Sequence, residues 1–136
     1  MRNAFIAALT DAARQDPRIY LLTGDVGFSV FEAFQSEFPE RFINTGVAEQ
    51  NMTSVAAGLA SCGKIPFTYS IANFPTLRCL EQIRVDACYP NLDVKVVAVG
   101  GGVAYGPMGS THHGTEDIAV LRSLPNMKVI APADGM

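Results

Sequence analysis

The chain has 136 residues, about the length of one domain, with 49% hydrophobic and 17% charged residues and a formal net charge of -3. The charged share lies below the roughly 25% of typical soluble domains, so part of the surface is expected to be covered by other protein. A mild negative balance without a basic face argues against nucleic acid as a partner. In chain order, "RNAFIAALTDAARQ" places Phe5, Leu9, Ala12 and Ala13 at helical spacing and is stopped by Asp16-Pro17. "RIYLLTGD" reads as a buried strand ending at Thr23-Gly24, "VFEAFQSEF" as a helix up to Pro39, and "RFINTG" as a short strand. Thr45 to Gly63 opens with a turn and becomes a helix of small residues, with Gly63 as its C-terminal cap. "IPFTYS" is a strand, "LRCLEQIRVDAC" an amphipathic helix, "DVKVVAVGGG" a strand with a glycine-rich exit, "TEDIAVLRSL" a helix and "MKVIAP" a last strand. Apolar strands separated by helices predict an α/β fold of three layers, α/β/α, around a mainly parallel sheet. One domain over residues 1–136 is expected.

Cys62, Cys79 and Cys88 show no paired metal spacing and leave one over if two were bridged, which predicts reduced thiols in a cytoplasmic protein. The "FIAAL" run after Arg2 is too short for a signal segment or a membrane span, so no membrane is expected.

In parallel sheets covered on both faces, ligands sit beyond the carboxyl ends of the strands. Four stretches fall there: "TGDVG", "NTGVAEQ", the "YSIANF" turn and "GGGVAYGPMGSTHHG". Glu49 stands at a helix start, where an acid is favoured by the backbone dipole without any catalytic role. "VGGGVAYGPMG" could cradle phosphate, but Tyr105 stands where a third glycine belongs and no Gly-Lys-Ser/Thr follows. His112 and His113 lie near Glu116 and Asp117, yet adjacent side chains diverge in extended backbone, and no metal site is assigned. Phe74 reads by default as a packing aromatic.

Together these pieces resemble, in order and spacing, the pyrimidine-binding domain of transketolase-like, thiamine-diphosphate-dependent enzymes. The matching residues are "GVAEQNM" at 46 to 52, Phe74 followed by "LEQIR" at 80 to 84, and "THHGTEDIAVLRSLPNM" with "APAD" between 111 and 134. The beta subunits of 2-oxoacid dehydrogenases share the glutamate helix but not the T-H-x-x-x-E-D segment, which favours transketolase. The resemblance implies the thiamine-diphosphate-binding fold and a catalytic role for Glu49. The carboxyl would hydrogen-bond a ring nitrogen of the cofactor's aminopyrimidine and favour the tautomer that takes the thiazolium proton. A carboxyl desolvated among apolar neighbours holds its proton more firmly and can share it with a weak base.

The same resemblance implies that Phe74 stacks on the pyrimidine, that Asp25 lines the cofactor's entrance, and that His112 reaches the donor substrate's oxygens as a second catalytic residue. Gly24-Asp25-Val26-Gly27 with Asn44 resembles the "GDG" diphosphate site only in part, since a valine replaces the last glycine, and it is assigned as a turn. His113 stands where a glutamine is common and has no assigned role. Met108 stands where sugar transketolases carry an aspartate, which predicts a smaller or less hydroxylated ketose or 2-oxoacid donor, because a buried hydroxyl without a partner costs about 1 to 3 kcal/mol.

The diphosphate and its magnesium are expected on a separate domain or subunit, the chain supplying half a site. A homodimer is expected, with Ala56, Ala57, Gly58 and Ala60 packing against a neighbouring chain. The expected activity is transfer of a two-carbon ketol or acyl unit. The alternatives are a 2-oxoacid decarboxylating synthase resembling deoxyxylulose phosphate synthase, or a catalytically silent assembly module.

Overall fold

In the computed structural model, which describes residues 1–135, helix α1 (Arg2–Gln15) buries Ile6, Leu9, Thr10 and Ala13 along one stripe. It ends at Asp16, whose extended backbone is what a residue before proline prefers. Strand β1 (Ile19–Thr23), helix α2 (Glu32–Glu37), strand β2 (Phe42–Asn44), helix α3 (Glu49–Ser61) and strand β3 (Ile65–Ile71) follow. Helix α4 (Leu80–Gln82) continues as a π-helix over Ile83–Cys88, before strand β4 (Lys95–Val99) and helix α5 (Asp117–Leu121). The strands lie in the order β2-β1-β3-β4, and every pairing is parallel.

Period-two alternation along β1 assigns the two faces. Ile19 and Leu21 join Ile6, Leu9 and Ala13 of α1, Phe31, Phe34 of α2 and Tyr69 of β3 on one side. Leu22 turns to the other side, against Met52 and Ala56 of α3. Leu21 and Leu22 are fully buried, each contributing about 2 kcal/mol to stability. The π-helix carries Ile83 and Cys88 into a further cluster with Cys79 and Leu121. The expected three-layer arrangement is therefore present, and it places the exits of β1 and β3 side by side.

Three expectations differ in detail. "MKVIAP" forms no strand: among the described residues the ladders stop at β4. Met127 and Val129 pack against the Cys79 cluster while Ile130 is 84% exposed, and Pro132 removes a backbone donor at the end of the run. The helix expected from Leu77 to Cys88 starts later, because residues 72–79 form an irregular turn held by Thr76 Oγ1 donating to the Ala72 carbonyl. Ala56 packs with Leu22 of the sheet and Ala57 is buried within the chain, so of the four small residues Gly58 and Ala60 keep more of their surface exposed.

Candidate functional site

Glu49 occupies the first turn of α3, and its side chain is turned inward over the ends of β1 and β3, leaving it 2% exposed. A charge buried that deeply needs partners. Ser70 Oγ, near the end of β3, donates to Oε1 at 3.2 Å. Arg78 Nη1, in the turn after β3, donates to Oε2 at 2.9 Å. The surroundings of Glu49 are thus more polar than apolar neighbours alone would make them. Each carboxylate oxygen accepts one such bond, which leaves acceptor capacity for a ligand.

Gly24 explains how the carboxyl fits. A Cβ there would lie 3.1 Å from Glu49 Oε1 and 3.2 Å from its Cγ, so a side chain at the exit of β1 would press the carboxyl out of its place by a few tenths of an ångström. Phe74 lies in the turn between β3 and α4, half-buried, and the Arg78 guanidinium lies over its ring with Cζ 4.4 Å from the centroid. Cys79 pins this turn by donating its thiol to the Phe74 carbonyl at 3.1 Å. Burial, and secondarily the nearby Glu49 carboxylate, push the Cys79 thiol up, which keeps it protonated as that donor.

The glycine-rich loop closes over the same place. Gly102 and Gly114 bridge it with two backbone hydrogen bonds at 2.8 and 2.9 Å. That closure brings His112 edge-on to Phe74, ring centroids 5.1 Å apart, with Tyr105 6.0 Å from His112 on another side. His112 Nδ1 shares a 2.9 Å contact with Thr111 Oγ1, and His113 Nε2 meets the Gly106 carbonyl at 3.0 Å, so His113 ties the loop to itself. Met108 is 57% exposed.

Glu49, Phe74 and His112 are therefore gathered by direct contacts through Arg78 and the Phe74 ring. Asp25 is not: it is exposed, adopts a positive φ of 59°, accepts from Asn44 Nδ2 at 2.9 Å, and lines a separate cleft with Gly27, Phe31 and Asn44. Among the described residues, no three His, Cys, Asp or Glu side chains are gathered to hold a metal ion, and no helix is long and apolar enough to cross a membrane.

Arg78, Ser70, Gly24 and Cys79 escape a sequence reading. Arg78 sits in "TLRCL", where a basic residue reads as the polar side of an amphipathic helix. Ser70 leaves a faint signal, a small hydroxyl near the end of a strand that also carries Thr68.

Residues 1–136 match the family described as Transketolase, pyrimidine binding domain. One subunit of the apulose-4-phosphate transketolase of Phocaeicola vulgatus is 44% identical over 134 residues, 98% of this chain and 43% of that protein. A 1-deoxy-D-xylulose-5-phosphate synthase of Syntrophus aciditrophicus is 43% identical over 133 residues, 97% of this chain and 20% of that protein. The solved structure of a split-gene transketolase, an inactive beta4 tetramer, matches with a TM-score of 0.86 at 44% identity, over 98% of this chain and 43% of that one. The chain spans less than half the length of these relatives.

Proposed function

Because this chain belongs to the transketolase pyrimidine-binding domain family, we propose that it supplies the pyrimidine-binding half of a thiamine-diphosphate site, in an enzyme that transfers a two-carbon ketol or acyl unit. The observation that carries this reading is the buried Glu49 carboxylate joined to the Phe74 ring through a single guanidinium, so that a hydrogen-bonding carboxyl and an aromatic face lie within reach of one flat group. The fit is chemical as well as spatial, since each carboxyl oxygen has capacity beyond its one hydrogen bond, so that a proton can be held between the carboxyl and the accepting ring nitrogen, and Gly24 leaves room for the carboxyl. Thiamine diphosphate, when bound, supplies the carbon nucleophile of the reaction.

The chain's own residues bind, orient and move protons. Glu49 hydrogen-bonds the ring nitrogen and shares its proton. Phe74 stacks on the ring face. His112, edge-on to Phe74, reaches the donor's oxygens. Asp25 lines the entrance from the neighbouring cleft. Residues 1–136 act as one domain, and the diphosphate with its magnesium is held by a separate domain or subunit. The chain assembles as a homodimer with that partner, and its three unpaired thiols support a cytoplasmic setting.

Deuterium exchange at the thiazolium carbon of the assembled enzyme tests the reading. Glu49→Gln is expected to slow exchange by about 100-fold or more while the protein stays folded. An unchanged rate removes the catalytic assignment.

A second reading, a 2-oxoacid decarboxylating synthase, is supported by Met108 in place of an acceptor for a donor hydroxyl. Donor profiling separates the two: turnover of 2-oxoacids with release of carbon dioxide selects the synthase, and preference for ketose phosphates selects the transferase.

A further inference from the structure

Arg78 already makes both contacts that a pyrimidine in this site would make. Its Nη1 donates to Glu49 Oε2 at 2.9 Å, and its guanidinium carbon lies 4.4 Å from the centre of the Phe74 ring. A guanidinium is a flat N–C–N cation that suits both carboxylates and aromatic faces. A protonated or hydrogen-bonding aminopyrimidine edge is flat and has the same N–C–N pattern. Resting on the pyrimidine-binding reading above, we propose that Arg78 is an internal stand-in for the ligand, holding the ring's place between Glu49 and Phe74 and swinging out as the ring enters.

The geometry makes the two occupants exclusive. A ring that bonds Glu49 and stacks on Phe74 must lie on the side of Phe74 that faces Glu49, and the guanidinium covers that side. His112 meets the same phenyl at 67°, ring centroids 5.1 Å apart, in an edge-to-face contact and not as a second stacked plane.

The parts differ in freedom to move. Glu49 is wedged between Ser70 and Gly24 and is 2% exposed, whereas the Arg78 side chain is 44% exposed and can turn to water. The Arg78 backbone stays fixed, its N–H donating to the Asn73 carbonyl at 3.1 Å, so the motion is confined to the side chain. Exchanging one partner for the other also keeps the buried carboxylate paired throughout, which an empty frame would not.

The test uses the full-length protein assembled with its diphosphate-binding partner. Arg78→Met keeps the aliphatic stem and removes the cation. The cofactor-free variant is expected to melt lower than wild type, while thiamine diphosphate binds about tenfold tighter by calorimetry and associates faster, since the competing occupant is gone. Affinity equal to or weaker than wild type makes Arg78 a permanent part of the bound site and overturns the proposal. Arg78→Lys keeps the charge without the flat fork and covers the case in which the methionine variant does not fold: tighter binding than wild type supports displacement, and equal or weaker binding overturns it.

Benzamidine, a flat amidinium, supplies a readout that does not depend on thiamine. It is expected to raise the melting temperature of Arg78→Ala and to leave wild type unchanged, and an equal response from both overturns the stand-in role. Should wild type bind no thiamine diphosphate, the pyrimidine reading fails, and the benzamidine comparison alone decides whether Arg78 fills an amidinium-shaped place.

Discussion

Asp16 and Arg18 meet at 2.7 Å and Glu49 and Arg78 at 2.9 Å, yet the first carboxylate is 29% exposed and the second 2%. The first pair closes the turn after α1, two residues apart in sequence, with the Arg18 backbone N–H also donating to Asp16. The Arg18 side-chain hydrogen bonds, followed by that backbone bond, hold the Asp16 carboxyl down at about 2. Water screens such a pair, and it adds little to stability. The second pair spans 29 residues and joins the start of α3 to the turn after β3. Separation alone therefore does not tell the two acids apart. Burial, together with the aromatic ring that shares the guanidinium, does.

The largest break in this contrast comes from Gly24→Ala. A methyl placed 3.1 Å from Glu49 Oε1 forces the wedged carboxyl to shift, and a loss of about 1–3 kcal/mol is expected in chemical denaturation. Full stability in that variant would mean that the carboxyl moves freely and that the contrast with Asp16 is one of exposure only.

Phe74→Ala and His112→Ala come next and sharpen the buried side of the comparison. Removing the ring is expected to weaken thiamine diphosphate binding to the assembled enzyme by roughly 1 kcal/mol from stacking, with more from lost burial. Removing the imidazole is expected to leave that affinity in place and lower donor turnover. Equal losses of cofactor in a titration would refute the division of roles between the two rings.

The smallest effect belongs to Asp16→Asn, and its sign follows from the direction of the shift. A carboxyl depressed from 3.8 to about 2 in the folded chain contributes stability above pH 3.8, and that contribution fades as the pH falls through 2. Wild type is thus expected to exceed the variant slightly at neutral pH, with the gap shrinking through pH 2 and closing below it. A gap that persists at acid pH, measured by thermal melting, would assign the difference to something other than this pair.

Much of the architecture is legible in the chain because strand and helix periods are local. "RIYLLTGD" and "IPFTYS" announce buried strands by apolar continuity, and the acid at a helix start marks Glu49. The end of the chain shows the limit of such patterns. "MKVIAP" is a short apolar run as a buried strand is, and burial along it alternates, with Met127 and Val129 half-buried and Lys128 and Ile130 exposed. Pairing, however, also requires backbone partners, which a side-chain pattern does not report. The stretch from 72 to 88 fails for a related reason: its apolar spacing suits a helix, but the turn held by Thr76 and Cys79 delays the helix to Leu80, and from Ile83 it runs on as a π-helix.

By itself, the amino-acid sequence determined the strand and helix segments and the position of Glu49 at the start of α3, because each depends on neighbours a few residues away, and the alternation of those segments implied the α/β class with a parallel sheet. The resemblance carried by "GVAEQNM" and "THHGTEDIAVLRSLPNM" added the family. Only the tertiary structure decided that Arg78 would meet Glu49, that Gly24 would make room for its carboxyl, and that His112 would face Phe74 while Asp25 stood in a neighbouring cleft. Those contacts join residues as far as 38 apart across separate strand exits, from Phe74 to His112, and their distances are set by how helices stack on the sheet rather than by any local pattern.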